Sequence, residues 1–465
     1  MAFTEFACRS GGSNLNAGTR TGNSTVPGVT SDLTYASGSW VSSTGVFTPA
    51  SGDPIANGVA VGDFASVYAD AATVTTLVGR VTARTTTTIT VSTTAKSGTT
   101  TDGSLTRTLK IGGAWLGPNG ASGFPMNFVT SACTNSGADS PRINYKNDAT
   151  YSITANISSI TGVSHFGFSS VYADRSRAIL DGGTTGASYS LIGPTGGNII
   201  ADFIFQNNGA TGTTAGAFLN TFVAVLRCVA NSFRGNGFQS NGTVIYSECE
   251  AYGCNQSNTG GTAGWVLNGP AMLTNCIAHD NTGSNASGFI CAQGGYIVNC
   301  ISESNGADGI RTSAMTRLIN CDLYNNGGDG IEITSGVGVI IENCNFIKNT
   351  GASIRGFGVT TFGQISNCGY GAGTQANGLG NTTIGSMEET GAVTYGSNLT
   401  PWVDPANGDF RISLAAAKGT GRGAYTQTAA SYAGTVGYPD IGSAQHIDSG
   451  GGGINVAHGM HGGMR

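Results

Sequence analysis

Charge is scarce in this chain. Lys, Arg, Asp and Glu make up only 10% of the 465 residues, and they balance at −5. With a pI near 5.5 there is no basic footprint for nucleic acid. A mean hydropathy near zero and so small a net charge exclude a disordered polyelectrolyte. Long apolar runs are missing as well. None approaches the roughly 20 residues of a membrane helix, so no membrane partner is expected. Histidine is rare, five in all, and no paired C-x-x-C or His stands at ligand spacing; Cys249 and Cys254 are five apart. No metal site and no cofactor is therefore expected. Glycine, by contrast, is abundant, at 75 residues. It shows no G-X-Y period, which excludes collagen. Gly reaches positive-φ corners that other residues avoid, so the composition suits strands and tight turns.

Seven of the 11 cysteines fall at near-regular spacing: Cys228, Cys249, Cys276, Cys300, Cys321, Cys344 and Cys368. The intervals are 21, 27, 24, 21, 23 and 24 residues. Aligned on them, the segments read LTNCIAHDNTG, IVNCISESNGADGI, LINCDLYNNGGDGI, IENCNFIKNTGASI and ISNCGY. Asn275, Asn299, Asn320, Asn343 and Asn367 each precede the marker Cys. A period near 23 with short apolar strands and polar turns is one coil of a solenoid. Helical repeats are longer, and the L-x-x-L-x-L of leucine-rich repeats is absent. A parallel β-helix fits. Each coil pairs with the next about 4.8 Å away, so equivalent residues stack as ladders. Cys is expected to fill an inward ladder position, and Asn to stack its amides at the turns. Adjacent thiols could oxidise, but disulfide geometry is demanding and an unsecreted chain is usually reduced.

These N-C repeats, with their following D-G-I, resemble those of the right-handed parallel β-helix proteins, the pectate-lyase-like superfamily. The resemblance covers roughly residues 140–370. It extends to the ends: Cys8 to Thr19 (CRSGGSNLNAGT) is similar to a first-coil entry, and Asp404 to Ile412 (DPANGDFRI) with Asp440-Ile441-Gly442 is similar to a closing segment. It implies an all-β fold of about ten coils or more. Residues 1–30 are expected to cap the solenoid and open its first coil. Residues 31–107 are Thr/Ser-rich, with alternating Val59, Val61, Phe64, Val67, Tyr68, Val78, Val81, Ile89 and Val91. They read as a small inserted antiparallel β-domain for docking or interaction. The run from Leu109 to Pro118 is expected to return the chain to a β-helix spanning 108–385. A C-terminal cap over 386–449 is expected to cover the open end. The Gly-rich tail 450–465, with His458, Met460 and His461, has too little apolar content to fold alone and reads as a flexible tail or docking strand.

Many proteins of this superfamily are polysaccharide lyases or hydrolases that use carboxylates on the lateral face. Here Asp308 and Asp329 each lie eight after a marker Cys, so they are expected to stack on consecutive coils. Arg311, Glu332 and Arg355 each lie eleven after one and are expected to form a ladder of alternating sign. Carboxylates flanked by Arg could make a site. Asp-Gly before a strand is also ordinary turn chemistry, and alternating charge is what a parallel ladder needs. The polygalacturonase pattern (N-T-D, D-D, G-H-G, R-I-K) is absent. His165 and His279 lie alone in the sequence and read as packed or exposed residues. Trp265, Tyr252, Tyr296 and Tyr324 are candidate glycan platforms, with Arg311, Glu332 and Arg355 as possible polar contacts.

The segment Met1 to Cys8 (MAFTEFAC) has neither a basic n-region nor an apolar h-region, so no signal peptide is expected. A β-helix of this type usually serves outside the cell, and release by lysis would reconcile the two. The expected function is a structural or adhesive virion protein: a bacteriophage spike, fibre or capsid-decorating protein. It would be made in the host cytoplasm, displayed on the particle, and act through other virion proteins and host-surface polysaccharide. A homo-oligomer, with a trimer favoured, suits that role. The alternatives are a polysaccharide lyase or glycoside hydrolase, and a bacterial cell-surface or extracellular β-helix protein.

Overall fold

The computed structural model describes residues 3–8, 33–41, 43–69, 77–92, 107–111, 140–153, 162–169, 174–183, 198–208, 217–219, 223–256, 262–335, 338–356, 362–372, 386–390, 393–397, 400–407, 409–414 and 443. The described chain is all-β apart from one 3₁₀ turn, Pro405–Asn407. It divides into two units, residues 1–183 with 189–205, and residues 184–188 with 206–465.

In the first unit the solenoid begins at once. Strand Phe3–Cys8 pairs in parallel with Ser140–Lys146, which pairs in parallel with Ser164–Phe168 and so on to Asn198–Ala201. Between the first two of these strands lies the inserted domain. Seven antiparallel strands form one sheet, in the order Leu33–Tyr35, Arg107–Ile111, Phe64–Ala69, Leu77–Arg84, Ile89–Val91, Val46–Pro49 and Gly38–Val41. Alternation drives it: Trp40, Phe47, Val67, Val81, Ile89, Val91, Leu109 and Ile111 turn into one core, with Val59 from a loop. Val61 of the same sequence pattern points to solvent. Arg107–Ile111 pairs antiparallel with both Leu33–Tyr35 and Phe64–Ala69. Leu109–Ile111, the start of the run expected to re-enter the solenoid, therefore belong to a strand of the insert, because Leu109 and Ile111 complete that core; Gly112 to Pro118 lie outside the described residues.

The second unit is a parallel β-solenoid with three sheets. The first sheet holds eight strands, from Val223–Leu226 to Ser386–Thr390. The second holds eight, from Val229–Phe233 to Val393–Ser397, and the third seven, from Ala217–Leu219 to Ile354–Gly356. About seven coils carry all three sheets, fewer than the ten or more expected, since the third sheet is the shortest. The pairing continues past residue 385: Ser386–Thr390 and Val393–Ser397 extend the first and second sheets.

Two residue ladders explain the N-C signature. Asn275, Asn299, Asn320, Asn343 and Asn367 all have φ of 50–54°, in the left-handed region. Asn tolerates that region better than other side chains do. At the corner, Asn343 donates to Asn320 and Asn320 to Asn299. The Cys that follows turns inward. Cys228, Cys249, Cys276, Cys300, Cys321, Cys344 and Cys368 are all buried free thiols. Sulfur of one coil accepts the N–H of its neighbour, as from Cys276 to Cys300 and from Cys321 to Cys344.

A third ladder lies five residues after the marker. Asn281, Asn305, Asn326 and Asn349 stack inside the coil, each Nδ2 donating to the next Oδ1 at 2.6, 2.9 and 2.9 Å. A glycine ladder stands next to it. A Cβ on Gly288, Gly309 or Gly330 would meet the carbonyl oxygen of the following coil at 2.5–2.7 Å, so the D-G-I glycine is a close-approach residue.

Of the expected cap, the described residues 400–407 and 409–414 lie against the side of the solenoid, and most of 415–449 lies outside the described residues. Trp402–Asp404 and Asp409–Ile412 form a hairpin. Its Trp402, Phe410 and Ile412 pack with Ile277, Ile301, Tyr324 and Ile347. These last four residues belong to successive strands of the second sheet. This hairpin thus packs on a lateral face. Further on, Ser443 donates its N–H and hydroxyl to the fully buried Asp322. The tail 450–465 lies outside the described residues.

Candidate functional site

The carboxylate cluster lies on the third sheet and the turn that enters it. Arg311, Glu332 and Arg355 stand in register on consecutive strands. Arg311 Nε meets Glu332 Oε2 at 2.8 Å. Arg355 Nε meets Asp329 Oδ2 at 3.1 Å. Asp308 and Asp329 link coils. Asp308 Oδ1 accepts the N–H of Asp329 at 2.8 Å, and Asp329 Oδ1 accepts that of Ala352 at 2.5 Å. Asn236 makes the same link three coils earlier, accepting the N–H of Ala263. The position eight after the marker is therefore a side-chain acceptor for the next coil's backbone.

Burial raises the Asp329 carboxyl, partly offset by the Ala352 N–H and by Arg355. Burial also raises Glu332, and the charge of Asp308 and a hydrogen bond shared with it push the same way, against Arg311. The pairing of Glu332 with a neighbouring carboxyl, Asp308, that opposes its ionisation is the chemical feature of this cluster. Among the described residues, no group of three or more His, Cys, Asp or Glu side chains could hold a metal ion.

A second constellation escapes simple motif reading. Three after each marker Cys stands an outward ladder on the second sheet: Asn231, Tyr252, His279, Glu303 and Tyr324. His279 is not alone. Its Nε2 meets Glu250 Oε1 at 2.8 Å and its Nδ1 meets Asp280 Oδ2 at 2.9 Å. Its ring stacks on Tyr252 at 5.0 Å, and the Tyr252 hydroxyl accepts from Asn231. Burial alone would lower His279, but the hydrogen bonds and charges of Asp280, Glu250 and Glu303 outweigh it and push the imidazole up to about 9. At neutral pH it is an imidazolium with both ring nitrogens engaged, which fastens coils together. His165 is the opposite case. Buried against Tyr145, with its Nδ1 3.0 Å from the hydroxyl, it is driven down to about 3 and is neutral.

The four aromatic candidates separate by location. Trp265 is completely enclosed, stacked between Phe238 and Phe289 at 5.2 and 4.8 Å. It offers no face to a sugar, because a strand of alternating side chains turns this position into the core. Tyr324 is covered edge-on by Trp402 and Phe410. Tyr252 gives one face to His279. Tyr296 alone of the four is broadly open, at 54% exposure on the outer face of the first sheet.

No protein-family model matches this sequence, and no curated protein matches it. Among solved structures, the chain is similar to the A-module of a mannuronan C-5 epimerase of Azotobacter vinelandii. The identity is 12%, over 55% of this chain and 81% of that one, with a TM-score of 0.30. It is also similar to a pectate lyase, at 11% identity over 70% of this chain and 94% of that one, with a TM-score of 0.35.

Proposed function

We propose that the chain is a structural and adhesive protein of a virion surface, a rigid β-helical unit that holds host polysaccharide without cutting it. The observation behind this reading is the state of the lateral carboxylates. Asp308 and Asp329 spend an oxygen each on the backbone of the next coil, Asp329 is also held by Arg355, and Glu332 is held by Arg311. A general acid or base must be free to meet substrate. These groups are built into the solenoid's own bonding. The low charge of the surface and the buried, reduced thiols suit a durable display scaffold. Electron microscopy of native particles, with antibody against this chain, tests the reading. Label on capsid or tail is the expected result; a soluble protein that depolymerises polysaccharide overturns it.

One observation favours the lyase or hydrolase reading. Burial and the nearby Asp308 both raise Glu332, and a carboxyl of raised pKa beside a second carboxyl is the pairing from which glycosidic acid catalysis is built. That reading requires polysaccharide cleavage to disappear in Glu332→Gln.

A further inference from the structure

We propose that Asn241 and Gly242 form a self-modifying site, at which the glycine nitrogen closes on the asparagine side chain, ammonia leaves, and an aspartyl or isoaspartyl residue remains. The chemistry has two needs. The peptide nitrogen after the asparagine must be free to attack, and the side-chain carbonyl must be open to it. Glycine in the second position resists the closure least, for want of a Cβ.

Six Asn-Gly pairs lie wholly within the described residues, beginning at Asn57, Asn236, Asn241, Asn268, Asn305 and Asn326. In four of them the glycine N–H is already engaged. Gly58 donates to Ile55 O at 3.0 Å, Gly237 to Ala263 O at 3.2 Å, Gly306 to Asn281 O at 2.8 Å and Gly327 to Asn305 O at 2.7 Å. Asn236, Asn305 and Asn326 are buried as well. Among the described residues, neither Gly242 nor Gly269 donates its N–H to any group. Asn241 and Asn268 are both exposed. They stand on neighbouring coils, at the bend that leads from the third sheet to the first.

These two pairs differ from each other. Gly269 is buried against the preceding coil, where a Cβ would meet Gly242 O at 2.6 Å, so its peptide has little room to turn. Gly242 is half-buried. Asn268 Nδ2 also donates to Asn241 Oδ1 at 3.2 Å. That bond polarises the Asn241 carbonyl and stabilises its oxygen as negative charge grows on it in the tetrahedral intermediate. Stacking of the coils thus gives Asn241 a free nucleophile on one side and a donor on the other. In the reaction the Gly242 N–Cγ bond forms while the N–H proton passes to solvent base. The Cγ–Nδ2 bond breaks, and the nitrogen leaves as ammonia with a proton from water. A second water opens the succinimide at either carbonyl. The isoaspartyl product is the chemical class that an isoaspartyl carboxyl methyltransferase labels.

Peptide mapping by mass spectrometry, over a time course of the folded full chain at mildly alkaline pH, tests this. Deamidation is expected first at Asn241, and the isoaspartate there should accept methyl groups from that methyltransferase and S-adenosylmethionine. Asn57 controls for exposure alone, since it is exposed while its Gly58 N–H is held. In urea all six pairs should react at similar rates. Asn268→Asp keeps the side chain's shape but is a carboxylate with no donor at that pH. It should slow Asn241 by about fivefold, the equivalent of one hydrogen bond, with the melting temperature checking that the coil is intact. Deamidation at Asn241 no faster than at Asn57, Asn305 or Asn326 in the folded chain overturns the proposal. So does an unchanged rate in Asn268→Asp, or a preference for Asn241 that survives in urea, where the fold cannot supply it.

Discussion

Asn326→Ala removes one rung of the buried amide ladder, at a cost that follows from its bonds. Asn326 is fully buried. Its Nδ2 donates to Ser302 O at 3.0 Å and to Asn349 Oδ1 at 2.9 Å. Its Oδ1 accepts from Asn305 N at 3.2 Å and Asn305 Nδ2 at 2.9 Å. After truncation, Asn305 Nδ2 keeps Ala278 O and Ser302 Oγ, and Asn349 Oδ1 keeps the Asn326 N–H. The backbone N–H of Asn305 loses its acceptor. The stranded buried donor costs about 1–3 kcal/mol, and each of the other three lost bonds about 1 kcal/mol, so the total is about 4–6 kcal/mol. Urea unfolding followed by circular dichroism measures it, and hydrogen exchange at the Asn305 amide localises it. Solenoids unravel by neighbouring coils, so faster exchange should centre on residues 301–333. Asn325→Gly is the control. Asn325 is exposed, with φ of 54° and one surface bond to Ser304, and glycine accepts that backbone. It should change stability by less than about 1 kcal/mol. A loss below about 1 kcal/mol for Asn326→Ala, with exchange at Asn305 unaltered, would refute the idea that the amide ladder holds the coils together.

Gly309→Ala should destabilise by about 1–3 kcal/mol, because its Cβ would sit 2.7 Å from Gly330 O and 2.9 Å from Asn326 Nδ2; thermal melting reads this directly. Trp402→Ala should cost about 3–5 kcal/mol and open the C-terminal segment to limited proteolysis, since the indole covers Tyr324 and Phe410. Burial pushes Asp322 up to about 6 from 3.8, against hydrogen bonds from Ser443 and Asn345. The folded value lies above the unfolded one, so this group's contribution to stability is complete below pH 3.8 and is lost as pH rises through about 6. Asp322→Asn should therefore flatten the pH dependence of melting between those values; an unchanged slope would locate it elsewhere. The nine described thiols are buried, and burial pushes Cys254 and Cys291 up to about 12. They should resist iodoacetamide until urea unfolds the protein, as counted by mass spectrometry.

The solenoid was legible because one small residue per coil must face the core, and Cys marks it at near-constant intervals. The same ruler carries more than the N-C motif. Counting three beyond it reaches Tyr252, His279 and Glu303, and counting five reaches Asn281, Asn305 and Asn326. The 27-residue coil hides the pairing of Glu250 with His279, which are 29 apart in sequence and one rung apart in space. Trp265 reads as a platform in the sequence because sequence marks aromatics without marking which side of a short strand, here Ala263–Leu267, they occupy. The C-terminal cover was illegible for another reason. The contact of Asp322 with Ser443 spans 121 residues and belongs to no repeat. Likewise, Leu109 and Ile111 read as apolar strand residues in either setting, and only the core of the inserted sheet decides between them.

On the proposed function, this β-helix holds polysaccharide and leaves it whole. Light scattering after size exclusion measures both halves at once, with alginate, polygalacturonate and bacterial capsular polysaccharides as probes. The account predicts that a polysaccharide co-elutes with the protein at unchanged molar mass after prolonged incubation. A falling molar mass that stops falling in Asp308→Asn or Glu332→Gln would contradict it and assign the lateral carboxylates to catalysis.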